Sequence, residues 1–324
     1  VLSFCDSTNR ATRKIQFIDP ETGEVRETRS FTADADETYR SLASCNTNLA
    51  GAQIRSAFDK NYGNMAVQKT ADDKSLRAGI IPQDGTSAQE GEVNFQDLSG
   101  LTGDGGFGPP ANQSIGAFGP NGDLYFVQKT GDHNGVLMSV SVNGGAPAAV
   151  KGGDAGTIDP AEWSDQLYFP KGSAKPELDN SPGVSTVYSP DGSYVISAGD
   201  GTISYGPNNG TTGKTTEPEY GKTLWPFGYV NKTTFFGSGD NQLYRATISG
   251  SKVKTEKLLP EADGDVKEPT LSPDGKSIVF ILERDDSRAL WTVSTAPGST
   301  PKPLPTPMDR TAQGTGILDW ATVQ

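Results

Sequence analysis

Apolar residues in this chain come in short, evenly spaced runs of Val, Ile, Phe, Tyr and Trp, separated by Gly, Pro, Asn and Asp. Runs of that length bounded by turn formers predict β-strands joined by tight turns. One phrase recurs among them. Val184–Ala198 reads VSTVYSPDGSYVISA and Glu268–Ile281 reads EPTLSPDGKSIVFI. Ser114–Val127, SIGAFGPNGDLYFV, has Gly-Pro-Asn-Gly at the turn. Pro presets φ at the first central turn position and Gly accepts the positive φ that closes the hairpin. Repetition on this scale predicts stacked copies of one small unit.

Third strands align as KIQFIDPETG (Lys14–Gly23), SLRAGIIPQDG (Ser75–Gly85), VLMSVSVNGG (Val136–Gly145), GTISYGPNNG (Gly201–Gly210), QLYRATISG (Gln242–Gly250) and ALWTVSTAPG (Ala289–Gly298). Short fourth segments such as EVRETRSF, VNFQDLS and KVKTEKLL follow most of them. Hairpins of first and second strands are expected at Gln53–Gln68, Ser114–Val127, Val184–Ala198, Trp225–Phe236 and Glu268–Leu282. Four antiparallel strands per unit, radially repeated, describe the blade of a β-propeller. The first unit lacks an innermost strand, and the chain ends on an orphan strand, Gly316–Gln324 (GILDWATVQ). Joining the two closes the ring and removes an open edge. The expected fold is all-β, a single propeller over residues 1–324. Six blades are favoured; seven follow if the hairpin expected in Asp154–Gly183, around Trp163 and QLYFP, is a degenerate blade.

The SPDG turns between apolar strands resemble the WD40-like (PD40-type) repeats of the TolB-type propeller family. The pattern is clear around Asp191 and Asp274, looser around Asn121, and absent as a motif around Asp59 and Ser238. The resemblance implies an exported, often partner-binding protein, hence an extracytoplasmic location.

Composition narrows the function. The chain has 324 residues, 33 % hydrophobic, with 39 Gly and 22 Pro, and a net charge of −12. The evenly spaced β-rich runs argue against disorder, which this composition alone would permit. No clustered basic surface is visible for nucleic acid, and an anionic membrane would repel the chain. No apolar run approaches spanning length, so no membrane insertion is expected from this chain. A single histidine, His133, excludes His-rich zinc sites; no G-x-S-x-G elbow is present, and a Ser-His-Asp triad would need His133 itself in a GDHNG loop. Gly103–Gly108 (GDGGFG) runs into prolines rather than a helix, and Gly210–Thr215 (GTTGKT) is too short for a phosphate loop.

Extra segments at about 33–52, 100–113 and 152–183 fall between the outer strand of one unit and the inner strand of the next. Those connections share a face with the second-to-third-strand loops, so one rim is elaborated. Cys5 and Cys45 both belong on that rim, and a disulfide between them would pin the first insertion. The second-to-third-strand loops carry one set each of Asp6, Asp72/Asp73, Asp132, Asp200, Asp240 and Asp285/Asp286, with His133 and Trp163 on the same face. A carboxylate ring there could take calcium or a cationic ligand. Asp also suits turns everywhere, and no D-x-D-x-D-G loop occurs, so no metal or cofactor is assigned.

The expected function is a monomeric, non-catalytic binding module that recognises a protein or cell-envelope component through the elaborated face. The alternative is a carbohydrate-active enzyme, glycosidase or lyase, using acidic residues at the channel mouth.

Overall fold

The computed structural model describes residues 1–7, 12–32, 39–40, 45, 51–84, 95–98, 112–129, 135–150, 167–169, 173–178, 185–199, 201–209, 213–218, 224–260, 264–284, 287–296, 298–304 and 314–321. In chain order the elements begin with β1 (Leu2–Asp6), β2 (Thr12–Ile18) and β3 (Val25–Thr32). There follow β4 (Tyr39–Arg40), α1 (Gly51–Ser56), β5 (Asn64–Thr70), β6 (Leu76–Pro82) and β7 (Gln96–Asp97). Next are β8 (Ala117–Phe118), β9 (Leu124–Lys129), β10 (Gly135–Val140), β11 (Ala148–Ala149), β12 (Leu167–Tyr168) and β13 (Glu177–Leu178). Then come β14 (Ser185–Tyr188), β15 (Tyr194–Gly199), β16 (Thr202–Pro207), β17 (Lys214–Pro218), β18 (Trp225–Asn231), β19 (Thr234–Gly239), β20 (Gln242–Ser249) and β21 (Lys252–Lys257). The last are β22 (Asp265–Leu271), β23 (Ser277–Arg284), β24 (Ser287–Ser294), β25 (Lys302–Pro303) and β26 (Thr315–Trp320).

The fold is all-β. Four sheets have four strands, in the orders β26-β1-β2-β3, β4-β5-β6-β7, β8-β9-β10-β11 and β22-β23-β24-β25. An eight-stranded sheet, β14-β15-β16-β17-β21-β20-β19-β18, is two such sets joined through a short parallel pairing of β17 with β21. The hairpin β12–β13 stands apart as two strands. All six predicted third strands occupy the third position of their set. Both ends of the chain meet in one sheet, where β26 pairs antiparallel with β1 from Leu2↔Trp320 to Asp6↔Thr315.

β23 is apolar on both faces because its sheet packs against the β18–β21 set on one side and the first sheet on the other. β23 buries Ile278–Ile281 without a break, whereas the outer strand β3 runs partly exposed to its final turn. Phe17 and Phe31 of the first sheet meet Met65 and Val67 of the second. Ala78 and Ile80 meet Phe118 and Phe126 of the third. Phe236 and Leu243 meet Ile278 and Phe280 of the last sheet, and Val279 and Ile281 return to Leu2, Phe4 and Ile317 of the first. Leu167 and Phe169 bury against Ala117, Val127 and Leu137, so the two-stranded hairpin packs on the third sheet as a full sheet would.

The Ser-Pro-Asp-Gly turns are self-contained hydrogen-bond units. The Ser272 hydroxyl donates to Asp274 at 2.6 Å and accepts the Ser277 N–H at 2.9 Å, while Gly275 takes φ +70°. Ser189, Asp191 and the Tyr194 N–H repeat the arrangement. These bonds hold the Asp191 carboxyl down at about 2, the Ser189 hydroxyl being the largest cause. Ser272→Ala strands a hairpin N–H and should cost about 1 kcal/mol in thermal or urea unfolding.

Two expectations need correction. The first arm of the Gln53–Gln68 hairpin is not a strand: residues 53–56 lie in α1, and only Phe58 bridges to Met65. Gly51–Ser56 has good helix formers in Ala52, Gln53 and Arg55. The first insertion therefore does not precede the inner strand of the second sheet; it splits it. Tyr39–Arg40 pairs with Lys69 and Gln68, and contact with β5 returns only at Ala57, whose carbonyl takes the Ala66 N–H, and at the Phe58 bridge.

Candidate functional site

Of the carboxylates expected on the second-to-third-strand turns, the described residues include Asp6, at the end of β1, and Asp72, Asp73 and Asp240. Asp72 is exposed in the β5–β6 turn. Its neighbour Asp73 accepts the Ser75 hydroxyl and N–H at 2.5 and 2.9 Å, which lowers its carboxyl below the usual range. Asp240 and Asn241 have φ of +46° and +57° and form the two-residue turn between β19 and β20. Paired positive φ is the geometry of a type I′ hairpin, for which Asp and Asn are suited. Asp72 and Asp240 sit at the tips of hairpins in different sheets. Asp132, His133, Trp163, Asp200, Asp285 and Asp286 lie outside the described residues.

A different acidic cluster lies where the last sheet meets the first. Glu268, in the inner strand β22, bulges at φ +49° and reaches the neighbouring inner strand, where its Oε2 accepts the Ile317 N–H at 2.6 Å. Burial pushes its carboxyl up to about 8, against the lowering effects of the Ile317 N–H and Arg288. Arg288, at the start of β24, is engaged elsewhere. Its Nε pairs with Glu283 at 2.6 Å, and its Nη1 donates to the carbonyl and hydroxyl of Thr315 at 3.1 and 3.2 Å. β26 is thus tied to the last sheet by one carboxyl and one guanidinium, besides its pairing with β1.

From the other side, Cys45 lies against the same strand. Cys45 forms a disulfide with Cys5, with Cα atoms 5.6 Å apart. Both cysteines are buried. The Cys45 N–H donates to the Ser7 hydroxyl at 2.9 Å, which in turn donates to the Gly314 carbonyl at 2.9 Å. Gly316 lies opposite Cys5 in the β1–β26 register, and a Cβ there would meet the Cys45 carbonyl at 2.3 Å and Glu268 at 2.8 Å. α1 packs against both β26 and β12. Phe169, just after β12, exchanges hydrogen bonds with the Ser56 hydroxyl at 2.9 and 3.3 Å.

The sequence reading missed Glu268, Glu283 and Arg288. A signal was present: Glu268 stands beside Pro269 in the inner-strand arm of the second Ser-Pro-Asp-Gly hairpin. Among the described residues no group of three or more His, Cys, Asp or Glu is arranged to hold a metal ion, and no helix is long and apolar enough to cross a membrane.

No protein-family model matches the chain. Among curated proteins it is 31 % identical over 81 residues to a phospholipase A2 inhibitor from Protobothrops flavoviridis; this covers 24 % of the chain and 53 % of that protein. The match thus spans about half the relative's length. Among solved structures, the dihydro-heme d1 dehydrogenase NirN in complex with DHE is 12 % identical, covering 98 % of this chain and 75 % of that one, with a TM-score of 0.52. A functionally unknown protein from Desulfotomaculum acetoxidans gives 8 % identity, 98 % and 99 % coverage and a TM-score of 0.48. TolB from Agrobacterium tumefaciens gives 13 %, 76 % and 78 %, and 0.35. At 12 % identity the likeness to NirN is one of fold. With the sheet topology above, that likeness supports a β-propeller.

Proposed function

We propose that this chain is an extracytoplasmic β-propeller of the TolB-like, PD40-repeat kind that binds a protein or cell-envelope partner through its elaborated face. In this reading the ring has seven positions. Six are four-stranded blades, and the reduced hairpin β12–β13 fills the seventh, between the third and fourth blades. Pairing of β26 with β1 closes the ring. Burial of Leu167 and Phe169 against the third sheet favours a reduced blade over a surface insertion.

The Cys5–Cys45 disulfide carries the functional reading. It holds Cys45, from the added segment, against the end of β1, a cross-link that a plain scaffold does not require. Structural disulfides persist in oxidising compartments, which supports export.

Co-sedimentation with envelope fragments of the source cell, followed by cross-linking to identify the partner, tests the reading. Asp72→Lys with Asp240→Lys, both on the elaborated rim, should weaken binding at least tenfold. Ser251→Lys and Lys276→Glu, on turns of the opposite face, should leave it within twofold. Loss that follows the opposite-face changes instead would refute the assignment. Glycan turnover abolished by Asp72→Asn or Asp240→Asn would replace it with the carbohydrate-active reading.

A further inference from the structure

We propose that Asn231 is a glycan attachment site, its carboxamide nitrogen bearing an N-linked saccharide on the face opposite the elaborated rim. Three Asn-x-Ser/Thr triplets occur in the chain, at Asn112, Asn209 and Asn231, none with Pro in the middle position. Such a triplet serves as an acceptor at the surface, where its side chains are open, and the fold separates the three on that criterion. Asn112 is half-buried and its Oδ1 accepts the Leu76 N–H at 3.3 Å. Ser114, the third residue of that triplet, is fully buried, and its hydroxyl accepts the Val127 N–H at 2.9 Å and donates to the Ile115 carbonyl at 3.3 Å. A saccharide on Asn112 would displace the Leu76 N–H and crowd that buried hydroxyl. Asn209 is exposed, but Gly210 and Thr211 lie outside the described residues.

Asn231, Lys232 and Thr233 are all exposed. They form the tight turn between β18 and β19, closed by the pairing of Asn231 with Thr234. The Asn231 Oδ1 accepts the Thr233 N–H at 2.9 Å and the Thr233 hydroxyl at 3.1 Å. This local Asx turn sets the hydroxyl of the triplet against its carboxamide. Nδ2, the atom that takes the sugar, has no partner among the described residues.

The surroundings suit a saccharide. Val230 is the one exposed large hydrophobic among the described residues. Tyr194 and Tyr229 are half-buried against the core between the β14–β17 and β18–β21 sets, and the Lys232 ammonium lies 5.8 Å from the centre of the Tyr194 ring. Phenol rings join an apolar body to a polar tip, which matches the C–H faces and hydroxyls of a sugar, and a bulky hydrated glycan screens such a patch. β19 runs six residues, about 20 Å, from this turn to the one at Asp240, so a glycan here leaves the elaborated rim clear.

The donor is a saccharide activated at its anomeric carbon by a diphosphate, carried on a polyprenyl lipid or on a nucleoside, and a transferase of the source cell catalyses the step. Nδ2 attacks that carbon, and the new C–N bond forms as the C–O bond to the diphosphate breaks. The diphosphate leaves with the bonding pair, and one amide proton passes to a base of the transferase. Nothing is oxidised or reduced.

Mass mapping of the chain purified from its source cells, on peptides spanning each triplet, tests the site. It needs no partner, so its failure and that of the binding reading are told apart. The Asn231 peptide should carry sugar and the Asn112 peptide should be bare. Release by a glycosylamidase in ¹⁸O-labelled water should leave a labelled aspartate at position 231. A block of several sugars supports the site with the lipid-borne donor, and a single hexose supports it with the nucleoside-borne one. The sugar should be lost in Asn231→Gln and in Thr233→Ala, and kept in Thr233→Ser. Thr233→Ala retains the backbone bond to Oδ1, so it decides if Asn231→Gln does not fold. A bare Asn231 in the wild-type chain, sugar on Asn112 instead of Asn231, or sugar retained in Thr233→Ala would each overturn the proposal.

Discussion

Cys45→Ser is expected to lower the stability of the chain by about 4 kcal/mol, read as a shift of the urea midpoint. The bridge spans 40 residues, and the loop-closure entropy it removes from the unfolded chain has about that magnitude. Cys45 also contributes to the core between the first two sheets, alongside Phe17, Phe31, Ile54 and Leu318. A serine hydroxyl in that site lacks the apolar contacts of sulfur. Cys5→Ala/Cys45→Ala should show a similar loss, and reduced wild-type chain should match it. Coincident unfolding curves for oxidised chain, reduced chain and variants would show that the bridge contributes nothing.

Legibility in the sequence followed the reach of the interactions. The hairpins announced themselves because Ser272, Asp274 and Gly275 bond within six residues, so their pattern is written locally. The third strands were equally plain, since each is an apolar run ending in a turn glycine. Pairing of the two chain ends was inferred from a missing inner strand and an orphan one, and β26 does pair with β1. The start of the insertion's helix was not visible: α1 has six residues, too short for a periodic signal, and it packs against strands distant in sequence.

The seam site shows the limit of reading repeats. Glu268 drew no notice because the repeat presented it as the lead-in to a turn, while its partner Ile317 lies 49 residues away. Neither residue says anything about the other until β22 and β26 are neighbours. The carboxylates that did draw notice, Asp72 and Asp240, belong to turns whose conformations they suit. In Asp240 the backbone itself, at φ +46° beside Asn241, accounts for the residue type. Asp and Glu thus carry different information here: the first marks local turn chemistry, the second a long-range contact.

Gly316→Ala should cost about 3 kcal/mol, three times more than Gly250→Ala, although both add one methyl group. At Gly250 a Cβ finds nothing within 4 Å, so the cost is that of holding Ala at φ +63°, about 1 kcal/mol. At Gly316 the Cβ falls 2.3 Å from the Cys45 carbonyl and 2.8 Å from the Glu268 carboxyl. Overpacking of that kind costs about 1–3 kcal/mol, and displacement of Glu268 removes its bond to the Ile317 N–H besides. The Cys45 carbonyl cannot retreat, because the disulfide holds that residue to β1 on the strand directly opposite Gly316. In a Cys45→Ser background the segment is free to move, so the same glycine change should cost at least 1 kcal/mol less. A double-mutant cycle by urea denaturation measures that coupling. Strict additivity, or equal costs at Gly250 and Gly316, would mean that the disulfide segment does not press on β26, and the tight seam would have to be abandoned.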